Sequence, residues 1–364
     1  MLQHTLPEAT NPTTADGGTY LLSEAYQFHD VRVYCKANHP ALLAILGDML
    51  RIFPPLEQER GAVTYQILCY EQDDQFAEAL PQERKRTDTI RLLTNTRLKY
   101  YHSKHDARRY LKYERLSQSN GAVLSMIDTD QRAALTQVEA PIEYQAQFLR
   151  RYVFLLTLGQ LMHPFGFEPC HGGVVTAPWD DQLGALIVGG SGKGKTSLSV
   201  GCASAGCGLL SDDLVMLRQH PENEGIHAFA ISHEVSIRSG TLDLWPNLQA
   251  LASLPIDRRD KRYCMIEQIR PGASRLQTGI RLLLFPSLTS EASSTIVPLS
   301  KAQALQRLVD ECLGKSTLPQ QAQARLFSFL CALAEQAPGY EVMMARGTND
   351  GPQLVYSLFA GERP

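Results

Sequence analysis

Ala185-Leu-Ile-Val-Gly-Gly-Ser-Gly-Lys-Gly-Lys-Thr-Ser197 decides the reading of this 364-residue chain. Residues 183–188 are apolar and strand-like, a glycine loop follows, and residues 197–205 read as a helix. Gly189, four intervening residues and Gly194-Lys195-Thr196 fit G-x-x-x-x-G-K-[ST]. In that pattern backbone amides wrap phosphate oxygens, the lysine reaches the terminal phosphates and the hydroxyl holds magnesium. Gly189, Gly190, Gly192 and Gly194 accept positive φ and leave no side chain between the backbone and an anion. A helix starting near Lys195 adds first-turn amides without intrahelical partners and the positive end of its dipole. The candidate nucleotide-binding residues are therefore Gly189, Gly190, Ser191, Gly192, Lys193, Gly194, Lys195, Thr196 and Ser197.

A second signal follows closely. Gly206-Cys-Gly-Leu-Leu-Ser-Asp-Asp-Leu-Val-Met-Leu217 reads as a helix stop, a short strand, two adjacent acids and another strand. Asp212 stands 212 − 196 = 16 residues beyond Thr196. A helix of about three turns, rising roughly 1.5 Å per residue, lets the next strand return beside the first and deliver its acids to the loop. A metal ligand and a base are both available there.

Gly189-Gly-Ser-Gly-Lys-Gly-Lys-Thr196 followed by Ser211-Asp-Asp-Leu-Val215 resembles the kinase domain of HPr kinase/phosphorylase, and His171-Gly172 ahead of the loop adds to the likeness. Phosphoenolpyruvate carboxykinase shares the loop and paired-acid layout. The resemblance spans roughly residues 150–315. It implies an α/β P-loop kinase domain of the HPr kinase/PEP carboxykinase type, using ATP and Mg2+ to phosphorylate a hydroxyl, with a serine of a peptide or small protein as acceptor. Carried across, Lys195 binds the β and γ phosphates, Thr196 the metal, Asp212 takes the acceptor's proton and Asp213 supports metal or base, the order of these two adjacent acids staying open in the sequence, and His171 sits near the transferred phosphate. The family's Glu-[Ile/Val]-Arg-Gly-x-Gly signature is not reproduced: the chain has Glu234-Val-Ser-Ile-Arg238-Ser-Gly240. That departure leaves phosphorolysis and HPr itself as substrate open, with an HPr-kinase-related phosphotransferase as the class the resemblance implies. Two other readings stay open, a kinase of a small hydroxylated metabolite and a nucleotide-gated binding protein with little catalysis.

With 44% hydrophobic and 20% charged residues the composition is that of a globular protein with room for two domains. Residues 1–18 read as a loose tail without a basic, apolar leader, so the expected location is the cytoplasm. The most apolar segment, residues 152–161, falls short of the roughly 20 residues that cross a bilayer. Eight cysteines lack Cys-x-x-Cys spacing and read as buried thiols, with Cys202 and Cys207 close enough to touch.

Residues 19–140 read as a smaller α+β domain, suited to acceptor selection, and 141–364 as the kinase domain, with the boundary at Glu139-Ala-Pro-Ile142 and an amphipathic helix over 144–162 leading into the second part. Strands are expected at 31–35, 63–70, 92–101 and 122–127, with a helix at 40–52. In the second part strands are expected at 226–231, 235–237, 282–285, 295–297 and 340–345, with helices at 301–312 and 319–336. A net charge of −3 argues against bulk nucleic-acid binding. Between Arg84 and Arg115, however, eleven Lys or Arg meet only Asp88, Asp106 and Glu114, with tyrosines interleaved. That segment suits an acidic peptide, a solvated sheet edge or, as a lesser alternative, single-stranded nucleic acid. A second basic loop, Asp257-Arg-Arg-Asp-Lys-Arg262, offers Arg258, Arg259, Lys261 or Arg262 to a γ-phosphate. A homo-oligomer is compatible with the resemblance, and no membrane partner is expected.

Overall fold

The structure, a computed structural model, describes residues 13–14, 20–55, 59–70, 84–93, 96–103, 108–115, 123–139, 146–220, 225–257, 259–313 and 320–361. The tail expected over residues 1–18 lies outside them, apart from the pair 13–14. The chain divides into two compact units, Met1–Gly166 and Phe167–Pro364.

The first unit is built on β1 (Thr13–Thr14), β2 (Tyr20–Phe28), β3 (Val31–Ala37), α1 (Pro40–Leu50), β4 (Gly61–Tyr70), β5 (Arg84–Leu93), β6 (Thr96–Ser103), β7 (Arg108–Arg115), β8 (Val123–Asp128), β9 (Ala133–Glu139), α2 (Ala146–Phe148) and α3 (Leu155–Leu161). Its sheet runs β1-β2-β3-β4-β9-β8-β7-β6-β5. The pairs β3/β4 and β4/β9 are parallel, and the other neighbours are antiparallel. On β3, Val31, Val33, Cys35 and Ala37 are buried while Tyr34 is exposed, the alternation a one-sided strand requires. The parallel return to β4 passes through α1. Pro40 fixes φ at the start of that helix, and His39 Nδ1 accepts from Ala41 N at 3.2 Å. Residues 92–101, expected as one strand, are divided between β5 and β6. The basic segment makes three successive antiparallel strands with β5 at the sheet's end, and Arg108 on β7 pairs with Asp128 on β8 at 3.2 Å.

The divide at Gly166 falls well after the expected boundary at residue 140, and the reason is a buried chain of hydroxyls. Thr157 on α3 donates to Ser125 on β8 (3.1 Å). Ser125 meets Thr136 on β9 (2.8 Å), which meets Tyr65 on β4 (2.9 Å). Tyr113 on β7 also donates to the Tyr152 carbonyl. Each buried hydroxyl needs its partner, so the helical segment completes the first unit's core. That segment, expected as one helix, is interrupted by a π turn at Leu149–Phe154.

The second unit comprises β10 (Glu168–Cys170), β11 (Gly173–Ala177), β12 (Asp180–Ile187), α4 (Lys195–Ser204), β13 (Gly208–Ser211), β14 (Val215–Gln219), β15 (Ile226–Ala230), β16 (Glu234–Arg238), α5 (Ser239–Leu244), β17 (Lys261–Met265), α6 (Ile266–Ile269), β18 (Gln277–Thr289), β19 (Thr295–Leu299), α7 (Lys301–Leu308), α8 (Gln320–Gln336), β20 (Gly339–Ala345) and α9 (Gly351–Phe359). The main sheet runs β10-β14-β15-β18-β12-β11-β13. β20 lies beside β18, β19 beside β20, and β16–β17 form a separate ribbon. β12, β18 and β20 are mutually parallel, so their carboxyl ends open on one edge.

Successive residues of β12 face opposite cores, as a strand covered on both sides must. Ala185 and Ile187 belong to a core built with α4, α5, α6, α9 and the ribbon. Leu186 and Val188 belong to the other core, with α7 and α8. α9 was not expected from the sequence. Among the described residues no helix is long and apolar enough to cross a membrane. Cys202 and Cys207 do touch: a hydrogen bond between them pushes the Cys202 thiol up and, with Arg270, holds that of Cys207 down.

Candidate active site

The loop between β12 and α4 has the backbone its glycines call for. Gly192 and Gly194 adopt φ of 80° and 96°, values that residues with a side chain rarely take. At Gly194 a side chain is excluded twice, because a Cβ there would lie 2.1 Å from Met344 Cε. The chain then enters α4, whose first residues are Lys195 and Thr196. Lys195 is 7% exposed, and its Nζ donates to the Gly189 carbonyl at 2.5 Å and lies 3.4 Å from His171 Nε2. This lysine is thus held against the mouth of the loop.

Strand register brings the other groups to the same edge. β11 pairs Gly173 with Ile187 on one side and Val174 with Ser211 on the other. His171 and the two acids after β13 consequently flank the loop. The Ser211 hydroxyl accepts from the Asp213 and Leu214 amides at 3.3 Å each and so fixes the turn that carries both acids.

The acids then part company. Asp212 is 1% exposed, and its Oδ2 accepts from Thr196 Oγ1 at 3.1 Å and from the Ser236 amide at 3.4 Å. Asp213 has a half-exposed side chain, lines the cavity beside the loop, and pairs through Oδ1 with His171 Nδ1 at 3.4 Å.

That cavity has a volume of about 810 Å3, within the range of small-molecule sites. The glycine loop and the first turn of α4 line it. Ser236 and Arg238, two apart on β16 and so on one face, line one wall together with Lys261 from β17. Lys261 Nζ donates to Ser236 Oγ at 3.2 Å. Of the four cations offered by the basic loop, Arg258 lies outside the described residues. Arg262 donates to Ser239 Oγ at 2.8 Å, Arg259 pairs with Asp257 at 3.8 Å, and Lys261 lines the cavity. On the far side the wall comes from the ends of β18 and β20 and from residues 346–352.

Of the nine loop residues read from the sequence, Gly190, Ser191, Gly192, Gly194, Lys195, Thr196 and Ser197 line the cavity. Gly189 contributes the carbonyl that holds Lys195. Lys193 points elsewhere, into a separate cavity of about 280 Å3 shared with Arg307 and Glu341. There the Arg307 guanidinium, 2.6 Å away, holds the Glu341 carboxyl below its usual range, with Lys193 adding to the effect.

Sequence reading missed Ser236, Arg238 and residues 344–352. For Arg238 the signal was the two-residue period of 234–238. For the last segment it was Gly347-Thr-Asn-Asp-Gly-Pro352, a run of turn formers directly after a strand.

Magnesium, implied by the loop pattern, fits the donors present. Thr196 and Asp212 offer two hard oxygens that already meet at 3.1 Å, and Mg2+ characteristically takes one or two carboxylates together with substrate phosphates and water. Among the described residues there is no group of three or more His, Cys, Asp or Glu that could hold a metal ion.

No protein-family model and no curated protein sequence matches the chain. Among solved structures, the Hpr(Ser) kinase/phosphatase from Coxiella burnetii is a distant likeness, 13% identical over 54% of this chain and 96% of that one, with a TM-score of 0.30. At that score the likeness decides nothing about activity.

Proposed function

We propose that the second unit is an ATP- and Mg2+-dependent kinase that transfers the γ-phosphoryl group to a hydroxyl, a serine of a peptide or small protein. The observation that carries this reading is the division of labour between the two acids. Asp212 is buried against the loop's own hydroxyl, whereas Asp213 faces the cavity against a histidine. Of the two orders the sequence leaves open, this favours Asp212 on the metal side and Asp213 as the base.

In this reading the loop amides and Lys195 hold the triphosphate, and Thr196 and Asp212 would hold a metal that would supply positive charge to the phosphates. Asp213, oriented by His171, accepts the proton of the attacking hydroxyl as that oxygen bonds to the γ-phosphorus. The bond from the γ-phosphorus to the β–γ bridging oxygen breaks, and ADP leaves. Arg238 and Lys261 stand on the wall where negative charge spreads during transfer, and fixed cations there act without reorganisation. The first unit's basic strands, β5 to β7, are proposed to select an acidic acceptor.

Incubation with γ-labelled ATP, Mg2+ and a serine-containing peptide library tests the reading. Label should pass to peptide with the wild type and not with Asp213→Asn. Turnover onto small hydroxylated compounds alone would replace the acceptor class. ATP binding without any transfer would leave a nucleotide-gated binding protein.

A further inference from the structure

The cavity extends past the phosphate loop on the side away from the acids. His171, Asp212 and Asp213 flank the loop from β11 and β13, on one side of β12. β18 and β20 lie on the other side, and their parallel carboxyl ends carry Leu288 and Met344 to the cavity, followed by Arg346 and Asn349 in the next loop. A triphosphate whose terminal group points at the acids finds room for its remaining atoms on this side of the loop.

This flank is built to receive something apolar and flat with a polar edge. Leu288 is a large aliphatic side chain left 40% exposed on the cavity wall. Neither the Arg346 guanidinium nor the Asn349 amide has a hydrogen bond or ion pair among the described residues, and both line the cavity. The loop that carries them is nevertheless fixed. Asp350 accepts from Ser294 N at 2.9 Å and from the hydroxyls of Ser294 and Thr348 at 2.5 Å each. Ser294 Oγ in turn accepts from the Ala345 amide at 2.9 Å. Side chains held ready on a rigid loop, with their hydrogen-bonding capacity unspent, mark a recognition surface.

We infer that Leu288, Met344, Arg346 and Asn349 form the nucleoside subsite of this cavity, with a purine ring lying on Leu288, its polar edge read by the Asn349 amide, and the ribose and α-phosphate beside Arg346. The inference rests on the phosphate-loop reading above and adds a consequence of its own: the protein prefers a nucleoside triphosphate to a bare polyphosphate. An asparagine amide presents a donor and an acceptor side by side, which matches the paired acceptor and donor on a purine edge.

Isothermal titration calorimetry with Mg-ATP and with inorganic tripolyphosphate, on the wild type and on Leu288→Ser and Asn349→Ala, tests the subsite without any acceptor. Wild type should bind ATP more tightly than tripolyphosphate. Each variant should weaken ATP binding roughly tenfold, the worth of one hydrogen bond or one lost apolar face, and leave tripolyphosphate binding as it was. Both side chains are exposed, so neither substitution threatens folding. Equal wild-type affinity for the two probes, or variants that bind ATP like the wild type, would overturn the subsite while leaving the phosphate loop intact. Failure of the wild type to bind either probe would overturn both readings.

Discussion

Thr196 Oγ1 donates to Asp212 Oδ2 across 3.1 Å, linking the first turn of α4 to the residue just after β13. The two residues stand sixteen apart in the chain, and one helix closes the distance by returning to β13, which lies beyond β11 and not directly beside β12 as the sequence suggested. A hydroxyl and a carboxylate that already meet beside the glycine loop are two hard oxygens suited to one cation, and the proposed function makes them the magnesium ligands. Asp212→Asn should therefore raise the Mg2+ concentration needed for half-maximal turnover by at least about tenfold. An unchanged magnesium titration would remove Asp212 from the metal's side of the site.

Asp213 faces the cavity and is held by His171 at 3.4 Å. Asp213→Asn should lower kcat by about 10²- to 10⁴-fold, the usual worth of a positioned base, with ATP affinity nearly unchanged. Equal losses in kcat and in ATP binding would assign the side chain to nucleotide binding instead.

Arg238 and Lys261 line the same cavity, where the proposed reaction places developing negative charge. Replacing either by Ala should reduce kcat/KM by about tenfold to a hundredfold through kcat. A change confined to KM for the acceptor would place them in substrate binding.

Thr157 ties α3 to the sheet of the first unit through Ser125 and Thr136. Thr157→Val removes a donor from a fully buried chain of hydroxyls and should cost about 1 to 3 kcal/mol, read from urea denaturation. Wild-type stability in that variant would break the case that this helix belongs to the first unit's core.

His233 supplies a test by pH. Burial pushes its imidazole below the ordinary 6.5, outweighing the Arg275 carbonyl and the Glu267 charge, which push it up. A folded state that resists protonation binds fewer protons than the unfolded chain. The stability it contributes is therefore complete above pH 6.5 and is lost as pH falls from there through the folded value. His233→Gln should flatten the decline in urea midpoint just below pH 6.5; a decline as steep as the wild type's would exonerate His233.

The local part of this protein was legible in its sequence. The loop at Gly189 to Thr196, the acids at Asp212 and Asp213, and His171 are set by short patterns with short-range causes, and β11, β12 and β13 bring them to one edge. What was not legible depends on partners far away in the chain. The end of the first unit is fixed by Thr157 meeting Ser125, thirty-two residues apart, and no local feature of 144–162 announces which sheet will cover it. Arg238 gains its place from the pairing of β16 with β17, and Lys261 stands out from its neighbouring cations only because Arg262 and Arg259 are engaged with Ser239 and Asp257. α9 follows a run of turn formers and begins at Gly351-Pro352, a start signal that goes unnoticed where a chain is about to end.

Anomalous diffraction from crystals grown with Mn2+ and a non-hydrolysable ATP analogue tests the central claim most directly. The account predicts the metal bound to Thr196 Oγ1 and to Asp212, directly or through one water, with the phosphates on the loop amides and Asp213 free of the metal beside the γ-phosphate. A metal bound by Asp213 with Asp212 outside its coordination shell, or a triphosphate bound away from Lys195, would contradict it.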